Sequence, residues 1–220
     1  MRALLITGTD TGVGKTWVGR ALGHALARAG RRVVAVKPVE MGCAHVAPHE
    51  EDGVLLAAAT GQTAPREALY RFDDDVAPAV AADAAGAPID LDATLLRIES
   101  LAEGADVLLL EGSGGLLTPF TWEWTIVDLA RSVGAAALLV GSDRLGTINL
   151  ALMTLSALEL AGIEVAGMVL TAPEIPDAST GTNAASIGRL SGLDRIVALP
   201  RLPDPLMAGD AMGAVIGWLV

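Results

Sequence analysis

The sequence predicts an α/β fold, a doubly wound and mostly parallel sheet with helices on both faces. Three observations predict it. Short apolar runs of strand length recur along the chain, separated by segments with helical spacing. Each run is apolar throughout instead of alternating, as a strand covered on both faces must be. Polar and glycine-rich residues follow the carboxyl ends of these runs, where open parallel sheets bind ligands.

The first strand is Ala3-Leu4-Leu5-Ile6, and Lys15 to Arg28 reads as the first helix. Arg32-Val33-Val34-Ala35-Val36 is the second strand, ended by Lys37-Pro38 because proline cannot continue a ladder. Val54 to Ala59 suggests a helix closed by Gly61. Thr63 to Asp90, rich in Ala, Pro and Asp and without clear periodicity, is expected to be a loop-rich excursion. Leu91 to Ala102 has helical spacing at Leu91, Leu95, Ile98 and Leu101 or Ala102. Val107 to Leu110 is a strand, and Glu111-Gly112-Ser113-Gly114-Gly115 reads as a glycine-rich loop at its end. Ile126 to Val133 is helical, Ala135 to Val140 a strand, Ile148 to Leu160 a helix and Val165 to Leu170 a strand. Helices are expected over Ser179 to Leu190 and Ala208 to Val220, with a short strand at Arg195 to Ala198 between them. No repeat or linker interrupts this order, so residues 1–220 are expected to form a single domain.

Composition narrows the class. Apolar residues make up 52% and charged residues 19% of the chain, yet no run approaches the roughly 18 uninterrupted apolar residues of a membrane span. The first strand begins almost at Met1 with no signal-peptide pattern, so a cytoplasmic location is expected. A net charge of −11 argues against a nucleic-acid partner or an anionic membrane surface. Any anionic ligand must therefore be held by a local site. The single cysteine, Cys43, excludes an internal disulfide and a multi-cysteine metal site.

Gly8-Thr9-Asp10-Thr11-Gly12-Val13-Gly14-Lys15-Thr16 supplies such a site. It matches the P-loop pattern Gly-x-x-x-x-Gly-Lys-Ser/Thr and joins a predicted strand to a predicted helix. Its glycines let backbone N–H groups turn inward around a phosphate, and the helix dipole points at the same anion. Lys15 would reach the terminal phosphates, and the Thr16 hydroxyl would ligate Mg²⁺. Thirteen arginines against only two lysines, Lys15 and Lys37, mark both lysines as chemical residues. A compact ammonium fits beside a phosphate where a planar guanidinium does not. Glu111 is the natural acidic partner for Mg²⁺, and Asp52, in the run Glu50-Glu51-Asp52, is a second candidate. That run reads equally well as the solvated start of a helix.

These residues carry a family resemblance. The loop Gly8 to Thr16, Lys37-Pro38-Val39, Glu111 to Gly115 with Thr118-Pro119, and Leu145-Gly146-Thr147-Ile148-Asn149 resemble the motifs of the dethiobiotin synthetases in order and spacing, over roughly the first 170 residues. The resemblance implies a P-loop NTPase-like fold and an ATP-dependent cyclo-ligase of biotin biosynthesis. Such an enzyme takes 7,8-diaminopelargonic acid, CO2 and ATP, passes through a carbamate and a carbamic-phosphoric anhydride, and closes the cyclic urea of dethiobiotin. It implies ATP and Mg²⁺ as cofactors. ATP would be bound by Gly8, Asp10, Thr11, Gly12, Val13, Gly14, Lys15, Thr16, Glu111 and Thr171, and the metal by Thr16, Asp52 and Glu111. Lys15, Lys37 and Thr11 would be catalytic. Met41, Gly114 and Gly115, with Thr147, Ile148 and Asn149 at a helix start of the neighbouring subunit, would hold the substrate, so a homodimer is implied. On sequence alone, an ordinary helix cap at Thr147 or Asn149 is the stronger reading.

Departures from the family pattern are part of the same picture. Glu40-Met41 stands where a small hydroxyl residue commonly precedes Gly42, Ala79 stands in place of a histidine after Pro78, and Leu150 replaces the histidine after Asn149. Thr171 occupies the position of an asparagine that reads the adenine edge, which predicts weaker discrimination among nucleotide bases. The alternative is a P-loop subunit of altered specificity or without catalysis, related to the cobyrinate synthetases or the partition ATPases. Trp122 and Trp124 are candidates for covering an alkyl chain, for a dimer contact, or for plain packing.

Overall fold

The computed structural model describes residues 1–219. Eight strands run as β1 Arg2–Gly8, β2 Val33–Val36, β3 Val39–Glu40, β4 Tyr70–Arg71, β5 Val107–Gly115, β6 Ala136–Ser142, β7 Val165–Thr171 and β8 Ile196–Leu199. Eight α-helices accompany them: α1 Lys15–Arg28, α2 Asp52–Thr60, α3 Pro78–Ala85, α4 Leu91–Leu101, α5 Ile126–Ser132, α6 Thr147–Leu160, α7 Asn183–Ser191 and α8 Gly209–Gly217. Six strands form one parallel sheet in the order β2-β5-β1-β6-β7-β8.

Successive strand residues face opposite sides, and the core divides accordingly. Leu4 and Ile6 of β1 pack with Val18, Leu22 and Leu26 of α1 and with Met212 and Val215 of α8. Ala3 and Leu5 pack on the other face with Ile98 of α4, with Ile126 and Leu129 of α5 and with Leu158 of α6. Both faces are covered, which is why the strands read as continuous apolar runs. Strand β1 sits centrally between β5 and β6, so the chain leaves it toward opposite edges of the sheet on the two sides. A crevice opens at the carboxyl ends around such a switch point.

Four sequence expectations require correction. Residues 63–90 hold α3 and β4, and β4 pairs in parallel with β3 outside the main sheet. The helix escaped notice because Pro78–Ala85 is alanine-rich and carries no strong apolar stripe. Residues Glu111 to Gly115 belong to β5 rather than to a loop, and Gly115 pairs with Gly8 after a register shift. Helix α7 begins at Asn183, because Asp177, Ser179 and Thr180 hydrogen-bond one another and close a turn ahead of it. The last helix spans Gly209–Gly217 after a short 3₁₀ turn, and Val220 lies outside the described residues.

Close packing at β7 gives a direct stability prediction. A methyl group at Gly167 would lie 2.4 Å from the Trp218 ring and 2.8 Å from the Arg195 carbonyl oxygen. Gly167→Ala is expected to cost about 1–3 kcal/mol of stability through overpacking. A thermal melt unchanged from the parent would contradict this placement of Trp218.

Candidate active site

The P-loop leaves β1 at Gly8 and enters α1 at Lys15. Gly12 and Gly14 have φ of 72° and 92°, the left-handed region that only glycine occupies without strain. Gly14 is also the helix cap, with no side-chain acceptor, and the first turn of α1 carries no acidic residue. The N–H groups at this helix start are thus left for an anion. The Lys15 ammonium donates to the Asp10 carbonyl oxygen at 3.1 Å, and the Thr11 N–H donates to Asp10 Oδ1 at 2.7 Å. Burial and the neighbouring Lys37 lower the Lys15 pKa to about 8, outweighing the opposing pull of Glu111, Asp52 and Asp10.

Beside the loop lies a buried charge cluster. Lys37, just past β2, donates to Asp52 Oδ2 and to Glu111 Oε1, both at 2.8 Å, and lies 3.4 Å from the Gly112 carbonyl oxygen. The Thr16 hydroxyl donates to the same Glu111 Oε1 at 2.8 Å. Burial opposes the charge on Lys37, but Glu111 and then Asp52 outweigh it and hold the ammonium above its ordinary range. For Asp52, burial works to raise the carboxyl and Lys37 overrides it, giving a net lowering. Burial raises the Glu111 carboxyl, with Lys37 and Thr16 pulling the other way.

The three predicted metal ligands are thus joined in one cluster: Asp52 and Glu111 share the Lys37 ammonium, and Thr16 is tied to it through Glu111 Oε1. The donor set of one hydroxyl and two carboxylates suits Mg²⁺, which prefers hard oxygen ligands. Glu111 presents Oε1 to this cluster, while Oε2 is buried without a hydrogen-bond partner on the side of Gly19, where a Cβ would come within 3.1 Å of it. The residues present fit the ion.

A cavity of about 310 Å³ is lined by Thr11, Lys15, Lys37, Met41, Asp52 and Gly114, together with Glu40, Asp75 and Ser113. It brings together the predicted catalytic lysines, Thr11 and two of the predicted substrate residues. Gly114 has φ of 68°, and a Cβ there would lie 2.5 Å from the Thr118 hydroxyl, which accounts for glycine at this close approach. Gly115 lies beside the outer edge of the loop in a separate groove with Thr9, Asp10 and Leu117. Thr147, Ile148 and Asn149 line neither space. They open α6, whose cap is Gly146 with no side-chain acceptor, so neither Thr147 nor Asn149 caps the helix. Asn149 Nδ2 instead reaches Met153 Sδ at 3.5 Å.

A second cavity, about 710 Å³, adjoins the other side of the loop at Gly12, Val13 and Gly14. Its walls are Trp17, Ser142, the stretch from Thr171 to Glu174, and the stretch from Leu199 to Pro203. Thr171 lines this cavity, but its hydroxyl donates to the Val13 carbonyl oxygen at 2.8 Å and lies 3.3 Å from the Gly141 carbonyl oxygen. Its methyl group faces Gly14, where a Cβ would come within 3.1 Å of it.

Several lining residues were missed from sequence. Leu199 to Pro203 follow β8, and the rule placing ligands at strand carboxyl ends would have pointed there. Trp17 lies one residue past the P-loop motif. Glu40, set aside as a departure, turns out to be 5% exposed and bonded to the backbone of α2. Asp143, which follows β6, accepts from Asn183 Nδ2 and the Gly181 N–H, so it braces the turn before α7. Trp124 is buried against Phe120 with ring centroids 5.3 Å apart, whereas Trp122 is exposed and donates to Asp83 Oδ2.

A phosphate loop on a doubly wound parallel sheet, with a lysine-carboxylate cluster at its mouth, defines a P-loop nucleotide-binding protein. Solved structures agree on the fold. The cell division ATPase MinD of Pyrococcus furiosus superposes with a TM-score of 0.62 at 18% identity, covering 99% of this chain and 97% of that one. A ParA family ATPase from Chlorobium tepidum gives 0.60 at 12% identity, with coverage of 99% and 97%. A family model described as an AAA domain matches residues 2–206. The ATP-dependent dethiobiotin synthetase BioD of Anaeromyxobacter dehalogenans strain 2CP-C is 41% identical over 220 residues, 98% of this chain and 97% of that one. The protein of the same name from Aquifex aeolicus is 37% identical over 207 residues, 94% and 92% of the two chains. This chain belongs to the ATP-dependent dethiobiotin synthetase family.

Proposed function

We propose that the protein is an ATP-dependent cyclo-ligase that carboxylates 7,8-diaminopelargonic acid with CO2 and closes the cyclic urea of dethiobiotin. The observation that carries the reading is one cavity in which Lys15 and Lys37 face Thr11, Asp52 and Gly114 beside the P-loop. A carbamate and a triphosphate repel each other, and positive charge between them is what such a reaction needs. The P-loop N–H groups and Lys15 bind the β- and γ-phosphates of ATP. Thr11 and Lys37 hold the carbamate in line, one of its oxygens attacking the γ-phosphorus while ADP leaves. The second amine then attacks the carbamoyl carbon, the carbon–oxygen bond to phosphate breaks, and phosphate departs with both electrons. Lys15 and Lys37 stabilise negative charge throughout and act as electrostatic groups, since Lys37 stays protonated between its carboxylates. Thr16, Asp52 and Glu111 would hold Mg²⁺, which supplies charge neutralisation at the phosphates.

The start of α6 has no side-chain cap, carries exposed Gly146 and Asn149 beside buried Thr147, and stands apart from its own chain's cavity, which suits capture of a substrate carboxylate across a homodimer. Exposed Leu117, Leu145 and Met153 supply an apolar surface beside it. The net charge of −11 and the lack of any membrane-crossing helix among the described residues accord with small-molecule chemistry in the cytoplasm. Incubation with diaminopelargonate, bicarbonate, Mg²⁺ and ATP is expected to yield dethiobiotin by mass spectrometry. Intact ATP binding without product would favour the non-catalytic reading.

At the second cavity, the Thr171 hydroxyl is engaged with backbone carbonyls and offers no donor to a base edge. Apparent affinities for ATP, CTP and GTP are expected within about tenfold, equivalent to roughly 1.4 kcal/mol. A strong preference for ATP would show that another wall of this cavity reads the base.

A further inference from the structure

We infer that Glu40 is a positioning residue that aims Asp52 at the metal and Lys37 by capping α2 from a different strand. This rests on the proposed role of Asp52 in holding Mg²⁺. Helix α2 begins at Asp52, and the residue before it, Glu51, is the cap by position but makes no side-chain cap bond. The Glu51 carboxylate turns away to Arg71, with Arg71 Nε donating to Oε2 at 2.8 Å and Nη2 to Oε1. The open N–H groups at the helix start are satisfied instead by Glu40 of β3. Its Oε1 accepts from the Asp52 N–H and its Oε2 from the Gly53 N–H at 3.0 Å.

The two devices are linked. Glu40 pairs with Arg71 in the β3–β4 ladder, so the cap and the Glu51–Arg71 ion pair are held by adjacent strand positions. The first turn of α2 is pressed onto this ladder's approach, since a methyl group at Gly53 would lie 2.4 Å from the Ala68 nitrogen. A two-stranded ladder outside the main sheet thus clamps the one residue of α2 that enters the charge cluster. Asp52, whose side chain is 37% exposed, has its backbone N–H held by the Glu40 carboxylate and, among the described residues, by no other side-chain hydrogen bond. A carboxylate at a helix start also complements the helix dipole, so Glu40 stabilises the register that presents Asp52 Oδ2 to Lys37 Nζ at 2.8 Å.

Outer residues that orient a metal ligand commonly change metal affinity about 10- to 100-fold when removed. Glu40→Ala is therefore expected to raise the Mg²⁺ concentration needed for half-maximal binding of a non-hydrolysable ATP analogue by about tenfold. Binding of the analogue without Mg²⁺ should stay at the parent level. Glu40→Gln retains one acceptor, keeps the side-chain volume and should fall between the parent and Glu40→Ala, which keeps the test readable if the alanine variant folds poorly. Asp52→Asn is the reference. An Mg²⁺ dependence shifted in Asp52→Asn but unchanged in both Glu40 variants overturns this inference alone. Unchanged dependence in Asp52→Asn overturns the metal role of Asp52 and this inference with it.

Discussion

Lys37→Ala is expected to lower turnover by roughly 10²- to 10³-fold, the loss typical of one preorganised group that stabilises developing charge. Binding of ATP should persist, because the P-loop N–H groups and Lys15 remain in place on a separate segment. The expectation follows from where Lys37 sits. Its Nζ lies 2.8 Å from both Asp52 and Glu111, and the cavity it lines also holds Thr11 and Gly114. Removing it leaves Glu111, which is 1% exposed, without its counter-charge. Breaking a buried pair in this way costs on the order of 3–5 kcal/mol, so the melt should fall as well. Turnover must therefore be measured well below the new melting temperature. Equal losses of ATP binding and turnover would make Lys37 a nucleotide anchor instead of a group acting on the carbamate.

Glu111→Gln should have the second-largest effect. Glu111 Oε1 accepts from the Thr16 hydroxyl and from Lys37, while Oε2 is buried without a partner. A glutamine keeps the shape and one acceptor but removes a charge. Lys37 would then face only Asp52, and a Mg²⁺ ion would lose one of two carboxylates. The Mg²⁺ concentration for half-maximal turnover is expected to rise by at least about tenfold, with a fall in kcat of similar size. If that concentration stayed at the parent value while kcat fell, Glu111 would be a partner of Lys37 and not a ligand of the ion.

The parts of this site that could be read from sequence are those defined by short range. Gly8 to Thr16 carry their meaning in their own spacing, and the strand before and the helix after them supply the context. Lys37 and Glu111 could be placed because each directly follows an apolar strand core. The parallel, doubly covered sheet was legible for the same reason, through runs such as Val107 to Leu110 that are apolar on both faces.

What escaped depends on contacts between distant residues. Nothing near Glu40 in sequence indicates that its carboxylate reaches Asp52 and Gly53. The second wall of the larger cavity comes from Leu199 to Pro203, nearly 190 residues after the P-loop it faces. Strands β3 and β4 are two residues each, too short to show a period, and α3 is built largely of alanine, whose weak apolarity leaves no stripe. Thr171 follows a strand core and could be singled out for that reason, but only the structure shows its hydroxyl turned onto Val13.

In the proposed reaction this cavity joins a carbamate to the γ-phosphoryl group of ATP. Oxygen transfer tests it most directly. With ¹⁸O-labelled bicarbonate and unlabelled ATP, a carbamate oxygen that attacks phosphorus and later leaves with it must appear in the released phosphate. Mass analysis is predicted to find one labelled oxygen per phosphate formed, in step with dethiobiotin. Unlabelled phosphate accompanying product would rule out attack of a carbamate oxygen on the γ-phosphorus.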